Sequence, residues 1–297
     1  MGDTGGVHGS GIDLHCHTNA SDGTDTPAEL VARAAAAGLD VVAITDHDTV
    51  AGWAEAEAAL PTGLTLVRGA ELSCVHHGEA GDESGEISVH LLAHLFDPSA
   101  PELADELTRL RGDRARRARV MAQRMADDGL PIDPEAVLAA AGESVGRPHL
   151  GQALVAAGYV RTMDEAFAGV LAQSSPYYEA KQDLALMTAV RMVTAAGGVS
   201  TLAHARARTR GGVLSEATLA ALGAAGMTGL EVDHPEHTPP DRARLREVAD
   251  ELGLVATGSS DYHGSNKTVS LGAETTSADA FTRLVARARG VDLVTGG

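Results

Sequence analysis

The sequence has 297 residues and a formal net charge of −18, from 41 acidic and 23 basic side chains. A chain of this length can bury a full core, either as one large α/β domain or as a barrel with an insertion. The charge argues against binding to nucleic acid, including double-stranded DNA, through a general positive field. Aromatic residues make up only 3% of the chain, and this composition suits helices packed closely on strands.

Two features bear on the compartment. Cys16 and Cys74 are too few for a disulfide framework, which favours a reduced environment. Residues 1–10 are polar and Gly-rich, which predicts a disordered tail rather than a signal peptide, and no run reaches the roughly 18 apolar residues of a membrane span. We therefore expect a cytoplasmic protein without membrane contact, as a monomer or small homo-oligomer.

In the first third of the chain, apolar runs of strand length alternate with helical patterns. Thr26 and Pro27 mark the start of one helix, as an N-cap residue and a first-turn proline do. A polar, Gly-rich stretch around 78–85 separates two apolar runs and predicts a hairpin. The predicted elements are a strand ending at His15, a helix over 27–37, a strand over 41–44, a helix over 50–60, a strand over 65–67 that exits at Glu71, and a hairpin over 73–89 leading to His90.

From Pro101 the pattern becomes almost wholly helical, with helices predicted near 101–127, 134–141, 148–157 and 163–171. We interpret 99–181 as an inserted helical cap domain, and 11–98 with 182–297 as the α/β part. The insertion contains a set of arginines, and such sets usually form solvated helix faces, so a role in substrate binding is the less favoured interpretation. The set is Arg109, Arg111, Arg114, Arg116, Arg117, Arg119 and Arg124.

The last third alternates again, and its strands end in polar residues. The predicted elements are a helix over 183–196, a strand over 199–203 ending at His204, a helix over 215–224, a strand over 229–232, a helix over 240–252 and a strand over 254–257 leading to Asp261 and His263.

Imidazoles and carboxylates therefore follow strand after strand. Side chains two apart in a strand point to the same side, so His15 and His17 can present two imidazoles to one point. Strand carboxyl ends are also the edge where α/β folds place their sites. The candidate metal ligands are His15, His17, Asp22, His47, Glu71, His90, His204, Asp261 and His263.

Nine such ligands suit two or three divalent ions. Imidazole and carboxylate without thiolate favour Mn²⁺, Fe or Zn²⁺ at a catalytic site over a structural cysteine site. Two ions roughly 3.5–4 Å apart can hold the attacking and leaving oxygens of a phosphoester and activate a bridging water, so no Ser or Cys nucleophile is required. The alternative is a set of separately hydrogen-bonded histidines at a barrel rim with at most one ion. This alternative would explain a single histidine at a strand end, but it explains six histidines and three acids poorly.

Three further residues are candidates for substrate contact. Arg147 and His149 open a predicted helix after a loop, and helix N-termini attract anions such as phosphate. His237 follows the strand over 229–232, as does His234. For these two histidines, substrate contact and capping of the next helix are equally compatible with the sequence.

The motifs resemble those of the PHP (polymerase and histidinol phosphatase) superfamily. The matching segments are Asp-Leu-His15-Cys-His17-Thr, Thr-Asp46-His47-Asp48, Gly-Ala-Glu71, His90-Leu-Leu-Ala, Ala-His204 and Ser-Asp261-Tyr-His263-Gly. The helical stretch containing Gly146-Arg147-Pro148-His149 is similar to the insertion of stand-alone PHP phosphoesterases that act on nucleoside 3′,5′-bisphosphates and short RNA.

The resemblance implies a distorted seven-stranded (β/α) barrel with a trinuclear metal centre on its C-terminal face. It also implies removal of the 3′-phosphate to leave a nucleoside 5′-monophosphate such as AMP, with short RNA ends as a further substrate. By this resemblance, one ion is held by His15, His17, Glu71 and Asp261, a second by Glu71, His90 and His204, and a third by Asp22, His47 and His263.

The chain departs from the family pattern at a few positions. Cys16 replaces a more usual Ser, Ala205 and Arg206 follow His204 where Pro is frequent, and Ser174 and Ser175 stand where Gly is common. The alternatives are a histidinol-phosphatase-like or general phosphatase, a non-catalytic module serving a polymerase, and an amidohydrolase. An amidohydrolase would need a bridging carboxylated lysine, and neither Lys181 nor Lys267 ends a predicted strand. The ligand set is intact and no polymerase segment is present, which disfavours the non-catalytic module.

Overall fold

The computed structural model describes residues 11–78, 85–206 and 212–297. The predicted tail over 1–10 and the tip of the predicted hairpin lie outside the described residues. Across the described part of the chain, no helix combines the length and the apolarity that crossing a bilayer would require.

The fold is mixed α/β and is built around a nearly closed, barrel-like sheet, which confirms the predicted fold class. Seven strands follow one another in the order β1-β2-β3-β4-β6-β7-β8, while β5 and β9 pair with β3. Neighbours on this path are parallel, except that β4 is antiparallel to both β3 and β6. The strands are β1 (Ile12–Asp13), β2 (Val41–Ile44), β3 (Thr65–His77), β4 (Glu86–His94), β5 (Leu184–Ala185), β6 (Val199–Leu202), β7 (Gly229–Asp233), β8 (Val255–Gly258) and β9 (Val294–Thr295).

The two ends of the strand path approach each other just beyond β1 and β8. Cys16 forms an isolated parallel bridge with Tyr262, and the N–H of His17 donates to the carbonyl of Tyr262 at 2.8 Å. Asp13 adds a side-chain link, because its Oδ1 accepts the N–H of Ser260 at 3.0 Å. The segment that follows β8 therefore lies directly beside the segment that follows β1.

Helices accompany the strands and occupy most of the segment between β4 and β5. The predicted N-cap of α1 is confirmed, because Thr26 and Glu29 form a reciprocal capping box. The helices are α1 (Pro27–Ala36), α2 (Trp53–Ala58), α3 (Pro101–Asp127), α4 (Pro134–Ala140), α5 (Arg147–Ala156), α6 (Met163–Ala168), α7 (Leu186–Ala195), α8 (Glu216–Ala224), α9 (Pro239–Leu252) and α10 (Ala278–Val285).

The strand β3 is much longer than the sequence predicted. We expected a strand over 65–67 that exits at Glu71, whereas β3 continues to His77 and places Glu71 in its interior. The cause is the hairpin with β4, whose register pairs Gly69 with His94 and continues to the far end of β3. His90 likewise lies within β4 rather than at the head of a strand.

Two hydrophobic clusters share helix α3. Leu103, Leu107 and Leu110 in its first half belong to the main cluster, together with the side chains of the sheet and its covering helices. Met121 and Met125 in its second half belong to a separate cluster with α4, α5 and α6. Whether 99–181 forms a domain of its own stays a prediction.

Candidate metal centre

The first ligands follow two parallel neighbouring strands. His15 and His17 come just after β1, and His47 comes just after β2, so all three leave the same edge of the sheet. Two hydrogen bonds hold these segments together: the N–H of Cys16 donates to Thr45 Oγ1 at 3.0 Å, and the N–H of Thr45 donates to the carbonyl of Cys16 at 2.9 Å. The three imidazoles are consequently fixed relative to one another.

Asp46 shapes the loop that carries Asp22. One carboxylate oxygen of Asp46 accepts the N–H of Thr18 at 2.8 Å and the hydroxyl of Ser21 at 2.6 Å, and the other accepts the hydroxyl of Thr18 at 2.6 Å. All of these groups are buried. Asp46 thus contributes to the site by positioning a loop rather than by facing the cluster of imidazoles.

Glu71 is the centre of the cluster. Its carboxylate lies within 3.4 Å of five imidazole rings that come from different segments of the chain, and it is 1% exposed. The distances to the nearest ring nitrogens are 2.8 Å for His90, 3.0 Å for His47, 3.0 Å for His204, 3.2 Å for His17 and 3.4 Å for His15.

Asp22 and Asp261 complete the set from two sides. Asp22 lies 3.6 Å from ring nitrogens of His17 and His47, and 3.4 Å from His263 Nε2. Asp261 Oδ1 lies 3.4 Å from a ring nitrogen of each of His15, His17 and His263. The structure therefore brings all nine predicted ligands into one connected group.

Three subsets have ligand atoms that all lie within 4.8 Å of one another. They are His17, Asp22, His47 and His263; His15, His17 and Glu71; and His47, Glu71 and His90. The subsets share members, because His17, His47 and Glu71 each belong to two of them. The assignment of ligands to particular ions stays a prediction.

Two close contacts fit divalent cations. His15 Nε2 and His17 Nε2 lie 3.1 Å apart. When His15 is neutral and donates its Nδ1–H to Glu231, its Nε2 carries a lone pair that faces His17. His47 Nδ1 and Glu71 Oε2 are buried and lie 3.0 Å apart, yet neither makes a hydrogen bond of acceptable geometry. Converging lone pairs and carboxylate oxygens of this kind are what a metal ion between them would satisfy.

Protons compete with metal ions for this cluster. Burial lowers the pKa of His17, but the neighbouring carboxylates of Asp261, Glu71 and Asp22 outweigh burial and raise the pKa to about 9. Burial raises the pKa of Glu71, but the surrounding imidazoles, His90 foremost, hold it well below its usual range. The Glu71 carboxylate is therefore ionised at neutral pH, and metal binding must displace the proton of His17.

Glu231 is a residue of the site that was not predicted, because 229–232 was interpreted only as a strand. Its side chain is fully buried, with Oε1 3.2 Å from His15 Nδ1 and Oε2 accepting the N–H of His204 at 2.5 Å. Burial raises its pKa, but the charge of His15 and further histidines lower it to about 2. The position of Glu231 between Leu230 and Val232 could have indicated this role, because a Glu inside a buried strand is rarely found without a partner.

Lys267 was also missed as a neighbour of the site. Its Nζ lies 2.5 Å from Asp261 Oδ2, the oxygen that points away from His15 and His17. Lys267 follows a short 3₁₀ turn rather than a strand. A residue that follows a turn has no periodic pattern around it, so this contact could not be predicted from the sequence.

Backbone strain is concentrated here. Among the described residues, four that are not glycine have positive φ, and three of them lie at the site: Asp48 (φ 55°), His204 (φ 31°) and Asp261 (φ 55°). Such conformations cost about 1–3 kcal/mol each and persist where the surroundings enforce them. For His204, the hydrogen bond from its N–H to Glu231 is one such constraint.

The predicted substrate residues lie at the start of α5. Arg147 Nη1 donates to the carbonyl of Leu171 at 3.0 Å, and its guanidinium lies 5.2 Å from the ring centre of Phe167. His149 Nδ1 accepts the N–H of Gly146 at 3.0 Å. Burial lowers the pKa of His149, and the opposing effect of Asp22 shows that this imidazole lies near the cluster.

His237 lies in the loop after β7, and both of its ring nitrogens have backbone partners. Nδ1 donates to the carbonyl of Val232 at 2.9 Å, and Nε2 accepts the N–H of Arg206 at 3.1 Å. The side chain is 4% exposed. Contact between substrate and Arg147, His149 or His237 stays a prediction.

The seven arginines of α3 have different partners. Four of the seven lie on the outer face and pair with carboxylates: Arg109, Arg116, Arg119 and Arg124. Two others contact Asp48 after β2: Arg111 donates to its carbonyl at 3.0 Å, and Arg114 Nε lies 2.5 Å from its Oδ2. The seventh, Arg117, is buried and its Nε donates to the carbonyl of Glu179 at 2.6 Å. The predicted solvated face therefore accounts for only part of the set.

Arg114, Arg117, Arg147 and Lys181 form what we call the basic cluster. Burial lowers the pKa of Lys181, and the charges of Arg114, Arg117 and Arg147 lower it further. Burial also lowers the pKa of Arg117, with Arg147 adding to the effect. These cations therefore lie close enough to repel one another.

Comparisons with known proteins agree with this geometry. The sequence profile of the PHP domain matches residues 13–168. A 3′,5′-nucleoside bisphosphate phosphatase from Chromobacterium violaceum is 34% identical over 255 residues, which are 85% of this chain and 87% of that protein. A 5′-3′ exoribonuclease from Haemophilus influenzae is 32% identical over 84% of this chain and 89% of its own length.

A solved structure gives the same result for the fold. A candidate metal-dependent phosphoesterase from Bifidobacterium adolescentis superposes with a TM-score of 0.86 at 40% identity, covering 95% of this chain and 97% of that one. The profile match spans more than half of the chain, and the two relatives match it over 85% and 84% of its length. The chain therefore belongs to the PHP domain family and is a metal-dependent phosphoesterase.

Proposed function

We propose that the protein removes the 3′-phosphate from nucleoside 3′,5′-bisphosphates and leaves nucleoside 5′-monophosphates, with AMP as one product. The observation that carries this proposal is the basic cluster beside the nine metal ligands. A substrate with two anionic groups can then be held at both ends, one at the ligands and the other at the cations.

The basic cluster contains hydrogen-bond donors that the protein itself does not fully use and that could bind an anion. Arg117 Nη2 is buried and has no hydrogen-bond partner within the described residues. Lys181 Nζ makes only long contacts, 3.4 Å to Asp183 and 3.5 Å to the hydroxyl of Ser88. In a chain with a net charge of −18, buried and partly buried cations that repel one another are a specific feature, and a phosphate would relieve the repulsion.

Arg114 connects the basic cluster to the metal ligands. Its guanidinium donates to Asp48 Oδ2 and to the hydroxyl of Ser73 at 2.7 Å. Ser73 lies two residues after Glu71 in β3, so both side chains are on the same face of the strand. The N–H of Asp48 also donates to the carbonyl of Glu71 at 3.0 Å. The two anion-attracting regions are therefore adjacent.

Divalent ions held by the nine ligands would activate water and neutralise the charge that develops on the reacting phosphate. The chain's own residues contribute position: Glu71 gathers the imidazoles, Asp46 fixes the loop of Asp22, and the basic cluster holds the phosphate that does not react. Binding energy at the remote phosphate then orients the reacting ester.

A second candidate activity is hydrolysis of short RNA from its 5′ end. The same arrangement supports it, because a 5′-phosphate in the basic cluster would present the adjacent 3′ linkage to the metal ligands. The similarity to a 5′-3′ exoribonuclease favours this candidate over an amidohydrolase activity. A panel with adenosine 3′,5′-bisphosphate and 5′-phosphorylated di- and trinucleotides would rank the two activities.

The test of the main proposal measures phosphate release by the manganese-loaded protein from adenosine 3′,5′-bisphosphate and from AMP. We expect kcat/KM for the bisphosphate to exceed that for AMP by about 10- to 100-fold, the scale of one charge-assisted contact at the second phosphate. AMP should inhibit competitively as a product. Equal kcat/KM for the two compounds would contradict the proposal and indicate a general phosphatase.

A further inference from the structure

His234 lies beside the metal ligands with one ring nitrogen that has no hydrogen-bond partner. The side chain is 1% exposed, and its ring centre is 5.6 Å from that of His204 in an edge-on arrangement. Nε2 lies 3.5 Å from Asp261 Oδ2 but makes no hydrogen bond within the described part of the chain. A buried polar atom aimed at a group of ligands requires an explanation.

The other ring nitrogen of His234 determines where the proton is. Nδ1 lies 3.1 Å from the backbone N of Glu236, whose N–H can only donate. Nδ1 must therefore accept, and a neutral imidazole that accepts at Nδ1 carries its proton at Nε2. An Nε2–H cannot bind a metal ion through that nitrogen, so His234 presents a donor to the cluster rather than a tenth ligand.

The loop that carries His234 is held rigidly. Arg242 Nη2 donates to the carbonyl of His234 at 2.8 Å, and the N–H of His237 donates to the same carbonyl at 3.0 Å. Asp261 Oδ2, the acceptor 3.5 Å from His234 Nε2, already lies 2.5 Å from Lys267 Nζ. The backbone of His234 is thus held in place, and this neighbouring acceptor is engaged by a charged donor.

We infer that His234 donates its Nε2–H to an anionic oxygen of the phosphoryl group bound at the metal ligands. The inference rests on the proposed function in assuming that the reacting phosphate binds there, and it assigns a residue that contacts that phosphate. A donor fixed before the substrate arrives needs no reorganisation when charge develops, which is the arrangement expected for electrostatic stabilisation. His234 and the basic cluster would then contact different phosphates of one substrate.

The decisive variants are His234→Asn and His234→Gln. The amide oxygen of Asn can replace Nδ1 as acceptor for the N–H of Glu236, but Asn has no atom at the position of Nε2. Gln is longer and brings an N–H donor near that position, so it serves as the matched control. Metal content and the thermal midpoint are measured first for both variants.

The probe is inorganic phosphate, titrated calorimetrically into the zinc-loaded protein, so the result does not depend on the nucleotide. We expect His234→Asn to keep its metal and to bind phosphate about 10- to 100-fold more weakly, the scale of a hydrogen bond to a charged group, with most of the loss recovered in His234→Gln. Wild-type phosphate affinity in His234→Asn would overturn the inference. Loss of metal in His234→Asn would also overturn it, because His234 would then act by positioning Asp261.

A second measurement uses the wild-type protein and needs no variant to fold. The Nε2–H proton of His234 should be observable by nitrogen-15 NMR and should move downfield when phosphate is added to the zinc-loaded protein. An unchanged resonance would contradict the inference. If phosphate binding depends on His234 but nucleoside 3′,5′-bisphosphates are not hydrolysed, the proposed function fails while the inference stands.

Discussion

Glu231 and His15 are joined by a buried contact of 3.2 Å between a carboxylate oxygen and Nδ1, although 216 positions separate them in the chain. The second carboxylate oxygen of Glu231 accepts the N–H of His204. One side chain from β7 therefore orients a ligand that follows β1 and a ligand that follows β6. Carboxylates in this role set the tautomer of a ligating histidine and raise its basicity.

Glu231→Gln should weaken metal binding about 10- to 100-fold, the range found when such an outer partner is lost. Gln retains one acceptor oxygen, so it can satisfy His15 or the N–H of His204 but not both. Competition with a chelating dye measures the metal affinity. Glu247→Gln, an exposed position on α9 that pairs with Arg244, is the control and should bind metal as the wild type does. Equal affinity in both variants would mean that Glu231 has no role in holding His15.

Glu71→Ala should reduce activity by more than the roughly 10- to 100-fold expected for an outer partner. The variant removes the carboxylate that lies within 3.4 Å of five imidazoles, so their mutual arrangement loses its common acceptor. Phosphate release and metal content are measured together. An active variant with full metal content would exclude Glu71 as a bridging ligand.

Lys181→Met should raise KM for adenosine 3′,5′-bisphosphate about 10- to 100-fold with a smaller change in kcat. The reason is that contact with a non-reacting phosphate is equal in the ground and transition states. Arg119→Met is the matched control, because Arg119 lies on the outer face of α3, is 54% exposed and pairs with Glu135 of α4. An unchanged KM in Lys181→Met would remove the basic cluster from the substrate site.

The metal-free protein should lose stability as pH rises from about 6.5 to 9. The pKa of His17 is raised from 6.5 to about 9 by its carboxylate neighbours, so the folded state binds a proton that the unfolded state has released in this range. The stabilisation is complete below 6.5 and disappears as pH passes 9. Thermal midpoints after chelation measure it. The His17→Ala variant should show a weaker dependence rather than none, because Glu71 and other carboxylates outweigh burial and raise the pKa of His15 well above its usual value too. A flat profile in the wild type would show that His17 is not protonated.

Cys16→Ser should leave the metal content and the activity close to those of the wild type. Burial raises the pKa of the Cys16 thiol well above its usual value, so the thiol is neutral and is a poor ligand. Metal analysis of the purified variant is the measurement. A lower metal content would identify the sulfur as a ligand despite its burial.

The candidate ligands could be predicted from the sequence because most of them belong to short local motifs, such as His15-Cys-His17, even though Glu71 and His90 lie inside strands rather than at strand ends. The capping box of Thr26 was predictable for the same reason, since it depends on neighbours three residues apart. Glu231 and His234 depend instead on β7 lying between β6 and β8 in a sheet that bends toward closure. Which side chain from such a strand reaches His15 or Asp261 is decided by the curvature of the whole sheet.

The length of β3 was misjudged for a related reason. Polar residues after Val67 indicated a strand end, whereas Glu71 and Ser73 are buried within the strand and have partners from other elements. Helix α10 and strand β9 were not predicted at all. Strand β9 has only two residues and is defined by its pairing with Thr65 and Leu66, which no local pattern records.

Helix α3 limits how the protein can be divided. A deletion of residues 99–181 would remove Leu103, Leu107 and Leu110 from the main hydrophobic cluster. Each fully buried leucine contributes about 1.5–3 kcal/mol, so the loss of three, about 4.5–9 kcal/mol, is comparable to the total stability of a typical domain, about 5–15 kcal/mol. A shortened chain that still folds must therefore retain α3 at least through Leu110, and the first three turns of this helix function as part of the barrel wall.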